Sequence, residues 1–180
     1  MNAFQIRQLM HQTFQRQALI LVPECNWTGH ECDLLIVHKT MRVIDVEIKI
    51  SRADFKRDAA KDKWWHRISV DEARARGLDW WTHREHVDWP RKVWKHYFAM
   101  PREIWKPELA EFLPSPMSGV ILMDARGPHV ERMAKPDKAA EPISAKAAID
   151  IARLANLRMW DALVHQQSTQ PIRPKEEATT

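Results

Sequence analysis

At 180 residues, with 44% hydrophobic and 29% charged side chains, the chain has the size of one domain with its own core and is too apolar for a disordered segment. Lys and Arg outnumber Asp and Glu by 28 to 24 and the pI is about 9.2, a mild basic excess that permits a nucleic-acid partner without requiring one. No apolar run reaches the roughly 18 residues of a membrane span, and MNAFQIRQLM lacks the apolar core of a signal peptide, so a cytoplasmic location is expected. Two cysteines do not make a disulfide framework.

In chain order, Ile6, Leu9, Met10 and Phe14 fall at helical spacing within residues 3–17, with Asn2 as N-cap. Residues 18–23 (ALILVP) read as a strand. Cys25, His30, Cys32 and His38 raise zinc chemistry, but their spacing fits no common zinc pattern, and the competing reading makes both cysteines small buried hydrophobes.

Residues 31–50 predict a hairpin. Asp33 to His38 forms one strand around Leu34, Leu35, Ile36 and Val37, Lys39 to Arg42 form the turn, and Val43 to Ile50 alternates Ile44, Val46, Ile48 and Ile50 against Asp45, Glu47 and Lys49. At strand spacing Glu47 and Lys49 share a face, about 6 to 7 Å apart. A carboxylate and an ammonium on a buried strand must meet each other, a metal or water. With Asp33 contributing a second carboxylate, the pattern supplies what Mg²⁺ chemistry on a phosphodiester needs: hard oxygen ligands and a nearby cation. The competing reading is an exposed hairpin whose polar face is simply wet.

Ser51 to Asp54 is a capping-box-like start, predicting a helix from Arg52 to His66 whose first turn lies just beyond Lys49. Its alternating Lys, Arg and Asp residues can equally form a solvated face of ion pairs. Seven of the nine tryptophans fall between Trp64 and Trp105, among them Trp65, Trp80, Trp81, Trp89 and Trp94. They read either as a satellite core or as a surface that stacks on bases, with Arg67, Arg74, Arg76, Arg84, Arg91 and Lys92 around them. Val70 to Arg76 reads as a helix stopped by Gly77.

Lys95 to Met100 is the next strand, residues 103–112 a short helix, and Gly119 to Met123 and His129 to Ala134 two strands at the sheet edge. A final helix capped by Ser144 has apolar positions at Ala148, Ile151, Ala152, Ala155, Trp160, Leu163 and Val164, and residues 168–180 read as a flexible tail.

Asp33 followed by Glu47-Ile48-Lys49 on the next strand resembles the D…(D/E)xK signature of the PD-(D/E)XK nuclease superfamily. The longer run VEIKISRADFKRD, then KHYFAMP and SGVIL, resembles small phage and bacterial proteins related to the MmcB-like DNA-repair family, over residues 18–165. The resemblance implies a single α/β domain over residues 1–167 with a restriction-endonuclease-like fold, a central mixed sheet flanked by helices, a Trp-rich insertion at 64–94, and the KHYFAMP strand beside the ExK strand. It implies Mg²⁺ or Mn²⁺ held by Asp33, Glu47 and the Ile48 carbonyl, with Lys49 acting on the attacking water, and Glu31 and Asp45 as auxiliary candidates. On the residues alone, Asp45 reads as a partner for surface cations at the sheet rim. Ser51, Arg52 and Lys56 become candidate contacts to the DNA backbone. Many superfamily members carry a glutamate on the first helix; here the polar positions are Gln5, Gln8, Gln12 and Gln15, poorer Mg²⁺ ligands. Three function classes follow: a metal-dependent DNA endonuclease of repair, recombination or phage DNA processing, which as a homodimer would cut both strands; a DNA-binding accessory protein that cleaves little; and a protein-interaction domain built on the tryptophans.

Overall fold

The computed structural model describes residues 1–168; the remainder of the expected tail lies outside the described residues. Helix α1 (Ala3–Phe14) begins with a capping box in which Asn2 accepts from the Gln5 backbone N–H and the Gln5 side chain accepts from the Asn2 N–H. The strands are β1 (Ala18–Cys25), β2 (Cys32–His38), β3 (Val43–Ile48), β4 (Trp65–Arg67), β5 (Arg84–His86), β6 (Lys95–Pro101), β7 (Gly119–Asp124) and β8 (Gly127–Arg132). Three further helices are α2 (Arg52–Arg57), α3 (Val70–Arg76), which ends at a left-handed Gly77, and α4 (Ala145–Ser168).

Six strands form one mixed sheet in the order β1-β2-β3-β6-β7-β8. β1, β2 and β3 are antiparallel, β3 and β6 run parallel, as do β6 and β7, and β8 closes the edge antiparallel to β7. The architecture is therefore α/β with a mixed central sheet. β4 and β5 form a separate two-stranded ribbon within the β3–β6 crossover, the tryptophan-rich stretch.

The period-two pattern of β3 decides what lies on each face. Ile44, Val46 and Ile48 pack with Ile6, Met10 and Phe14 of α1 and with Leu34, Ile36, Tyr97 and Ala99. On the other face two apolar clusters form. One gathers Val22, Cys25, Cys32, Leu35, Val37 and Val43 under Ile151 of α4; the other gathers Phe55, Trp64, Phe98, Met100, Leu109, Val120 and Leu122. The alternate residues of β3 that follow Val43 on this face are charged.

Several boundaries differ from the sequence-based expectation. The helix expected to reach His66 ends at Arg57, and two short 3-10 turns follow at Asp58–Ala60 and Asp62–Trp64. Residues 107–112 form a 3-10 rather than an α-helix. In α4 Ile151 is buried, but Trp160, Leu163 and Val164, expected on the packing face, are exposed. No helix among the described residues is long and apolar enough to cross a membrane.

Candidate active site

The β2–β3 hairpin brings the predicted residues together. Its register pairs Leu34 with Val46, so one step further Asp33 stands across from Glu47. Where the ladder runs out, Asp33 Oδ2 takes the Ile48 backbone N–H at 2.7 Å. Because N–H and C=O of one strand residue leave on the same side, the Ile48 carbonyl also faces Asp33. No protein donor among the described residues meets the other Asp33 oxygen. Burial, and next the negative charge of Glu47, raise the Asp33 pKa above the ordinary carboxylate value.

Glu47 and Lys49 share a face as expected, and that face is dry: each side chain is 2% exposed, which excludes the wet-hairpin reading. Lys49 Nζ lies 3.0 Å from Glu47 Oε2 and 2.6 Å from Asp58 Oδ1. Two lysines that the sequence reading left without a role complete the cluster. Lys63 Nζ sits 2.6 Å from Glu47 Oε1 and 3.2 Å from Asp45 Oδ2, and Lys61 Nζ sits 2.7 Å from Glu47 Oε2 and 2.9 Å from Asp58 Oδ1. Trp64 donates its indole N–H to Asp58 Oδ2 at 3.1 Å. Burial alone would raise the Glu47 pKa, but Lys63 and then Lys49 act against it, and the carboxyl is held far below its ordinary value.

Asp45 corrects the expectation of a rim residue. It is 1% exposed, bonded to the buried Lys63, and its Oδ1 has no hydrogen-bond partner among the described residues. The sequence places Asp45 between Ile44 and Val46 on a central strand, where burial raises its pKa and the charge of Lys63 acts against that rise. Beside it, His96 of β6 is buried between the Trp64 and Phe98 rings, at centroid distances of 4.8 and 4.7 Å. Its Nε2 lies 3.4 Å from Lys63 Nζ and its Nδ1 3.1 Å from Ser118 Oγ. An ammonium only donates, so Nε2 accepts and Nδ1–H is left to donate to Ser118.

The other candidates sit outside this cluster. Glu31 is exposed on the loop before β2. The Ser51 hydroxyl accepts from the Asp54 N–H as the cap of α2. The Arg52 guanidinium donates to the Ile104 and Glu103 carbonyls at 2.7 and 3.1 Å, and Lys56 Nζ lies 3.9 Å from the Phe112 ring centre, so both help fasten the 103–112 segment. The α1 glutamines belong to the helix on the opposite face of the sheet from Glu47. A surface cavity of about 850 Å³ lined by Gln5, Gln8, Gln12, Glu103 and Asp124 contains none of the clustered residues. Cys25 and Cys32 stand opposite one another on β1 and β2, both buried and free.

Among the described residues no group of three or more His, Cys, Asp or Glu side chains is arranged to hold a metal ion. Mg²⁺ nevertheless keeps several waters and uses one or two carboxylates, so a pair suffices. Asp33, with one oxygen unengaged, the Ile48 carbonyl beside it, and Glu47 across the ladder have the hard-oxygen chemistry for such an ion. A cation there would relieve the repulsion between Asp33 and Glu47. The fit requires Glu47 Oε2 to exchange a lysine for the ion.

No protein-family model matches the chain, and no curated protein matches it. Among solved structures it is similar to SPO1766, a protein of unknown function from Silicibacter pomeroyi, at 18% identity and a TM-score of 0.54, over 96% of this chain and 97% of that one. At that identity the likeness concerns the fold alone.

Proposed function

We propose that the protein is a Mg²⁺- or Mn²⁺-dependent nuclease that hydrolyses DNA phosphodiester bonds, a restriction-endonuclease-like member of the PD-(D/E)XK type acting in DNA repair, recombination or phage DNA processing. The observation that carries the reading is the convergence of Asp33, Glu47 and Lys49 at the end of one hairpin, with Asp33 fastened to the Ile48 N–H. The position of β6 beside β3 is the arrangement the resemblance implies, and supports the finer fold assignment.

A divalent ion, when bound, supplies Lewis acidity at the phosphate and a more acidic water. Asp33, Glu47 and the Ile48 carbonyl would hold it. Lys49 donates to Glu47 and Asp58, which leaves one of its three N–H donors for a phosphate oxygen or the attacking water. The two carboxylates fix that ammonium in place before substrate arrives, so it has no reorganisation to undergo as charge builds on the phosphate oxygens.

One observation favours a second reading, a DNA-binding accessory protein that cleaves little: Glu47 is buried and both its oxygens are already taken by ammonium groups. Cleavage of supercoiled, linear, single-stranded and branched DNA with Mg²⁺ or Mn²⁺, comparing wild type with Asp33→Asn and Lys49→Met, separates the two. Metal-dependent cutting lost in both variants is the expected result. Salt-sensitive DNA binding with no cutting by wild type would leave the accessory reading, and no DNA binding at all would overturn both.

A further inference from the structure

Lys61 differs from the other two lysines of the cluster. The Lys49 and Lys63 side chains are sealed in at 2% exposure, whereas that of Lys61 is 45% exposed although it bonds the same carboxylates. It sits on extended backbone between the two 3-10 turns, anchored by its N–H to the Asp58 carbonyl, and reaches in from the solvent side. Its ammonium touches Glu47 Oε2 and Asp58 Oδ1, and Lys49 holds those same two oxygens from within. When Lys61 swings out, neither carboxylate is orphaned: Asp58 keeps Lys49 and Trp64, and Glu47 keeps Lys49 and Lys63.

Charge matching gives the exchange its direction. With Lys61 withdrawn, four carboxyl groups (Asp33, Asp45, Glu47 and Asp58) share two ammonium groups, Lys49 and Lys63. One divalent ion would balance the cluster with all four carboxyls ionised. An ammonium hydrogen-bonded to Glu47 Oε2 and a Mg²⁺ at its usual distance of about 2.1 Å cannot share that oxygen's open side, so their occupancies exclude each other.

We propose that Lys61 is the exchangeable counter-ion of the site: its ammonium holds Glu47 in the metal-free protein, a divalent cation displaces it into solvent, and Lys61 thereby sets the metal affinity. This rests on the divalent-ion reading above and adds a residue outside the D…ExK pattern.

Two measurements on the full-length protein test it, with Mn²⁺ as the probe. Titration calorimetry should show Mn²⁺ binding tightened about tenfold or more in Lys61→Met and Lys61→Gln, equivalent to about 1.4 kcal/mol, with Lys61→Arg close to wild type. Amine acetylation read by mass spectrometry should show Lys61 of the wild-type chain becoming more reactive with Mn²⁺, while exposed lysines away from the site do not change. Wild-type affinity in Lys61→Met and Lys61→Gln, with binding abolished by Asp33→Asn, would overturn the role of Lys61 and leave the divalent-ion reading standing. Mn²⁺ binding in none of the proteins, Lys61→Met included, would overturn both. The acetylation arm needs no substitution, so unchanged Lys61 reactivity at saturating Mn²⁺ overturns the exchange even if the variants fail to fold.

Discussion

The ammonium of Lys63 lies 3.2 Å from Asp45 Oδ2, an ion pair between two side chains each 2% exposed, joined across eighteen residues of sequence. Removing one partner of a buried pair leaves an uncompensated charge in a dry site and typically costs about 3–5 kcal/mol. Lys63→Met should destabilise the protein on that scale, because among the described residues no other Lys or Arg pairs with Asp45 and the neighbouring His96 is held neutral. In Asp45→Asn/Lys63→Met the cost should be smaller than the sum of the single changes. Urea unfolding of the four proteins gives the coupling; strict additivity would mean that the pair does not act as a unit.

Trp64 carries an apolar and a polar duty at once. Its ring is fully buried in the apolar cluster that includes Phe98 and Leu109, and its indole N–H holds Asp58 Oδ2. Trp64→Phe keeps most of the ring but strips the hydrogen bond from a buried carboxylate, a loss of about 1.5–3 kcal/mol for a bond to a charged group. The same variant should leave the far-UV circular dichroism of the folded protein unchanged while lowering its urea midpoint.

His96 makes the protein sensitive to mild acid. Burial, and next the positive charge of Lys63, hold its pKa well below the ordinary imidazole value; Lys49 and Lys61 act in the same sense and Glu47 against it. The unfolded chain therefore takes up this proton near pH 6.5 while the folded protein refuses it, so stability falls as the pH drops below about 6.5. His96→Gln should flatten that decline. Urea midpoints at pH 7.5 and 5.5 should differ more in wild type than in the variant, and equal differences would remove His96 as the cause.

Burial raises the thiol pKa of both Cys25 and Cys32, and the charge of Asp45 pushes Cys32 further in the same direction. Neither thiol is ionised at neutral pH, and the thiolate is the reactive form. Ellman's reagent should therefore label the native protein negligibly and label both cysteines once guanidinium unfolds it. Rapid labelling under native conditions would show that the β1–β2 edge opens far more readily than the rest of the sheet.

The hairpin was legible because its information is local. Strand alternation put Glu47 and Lys49 on one face, and the apolar face opposite them identified the buried layer. Asp58, Lys61 and Lys63 were not legible in the same way. Read as a helix to His66, those residues ride on a solvated surface of ion pairs; the break after Arg57 into two 3-10 turns changes their direction and feeds all three to the sheet. A stricter accounting of charge would have asked for them. Two carboxylates on a central strand call for buried cations, and Lys61 and Lys63, beyond the outward-lying Lys56, are the ones that arrive. Trp64 could be read as core from its aromatic bulk, but its hydrogen bond depends on where the turn delivers Asp58. His96 had no signal beyond its place in an apolar strand.

The parallel pairing of β3 with β6 has a kinetic consequence. Asp45, Glu47, Lys49, Asp58 and Lys63 all precede β6 in sequence, but the walls that keep them dry, His96 and Phe98, arrive with β6. Pairing across so long a connection must first close a large loop, a step associated with slow folding. The lysines thus remain hydrated until β6 docks, and their desolvation falls late on the folding route. Lys63→Met should accordingly speed unfolding far more than it slows refolding, so that this ion cluster acts chiefly on the lifetime of the native state.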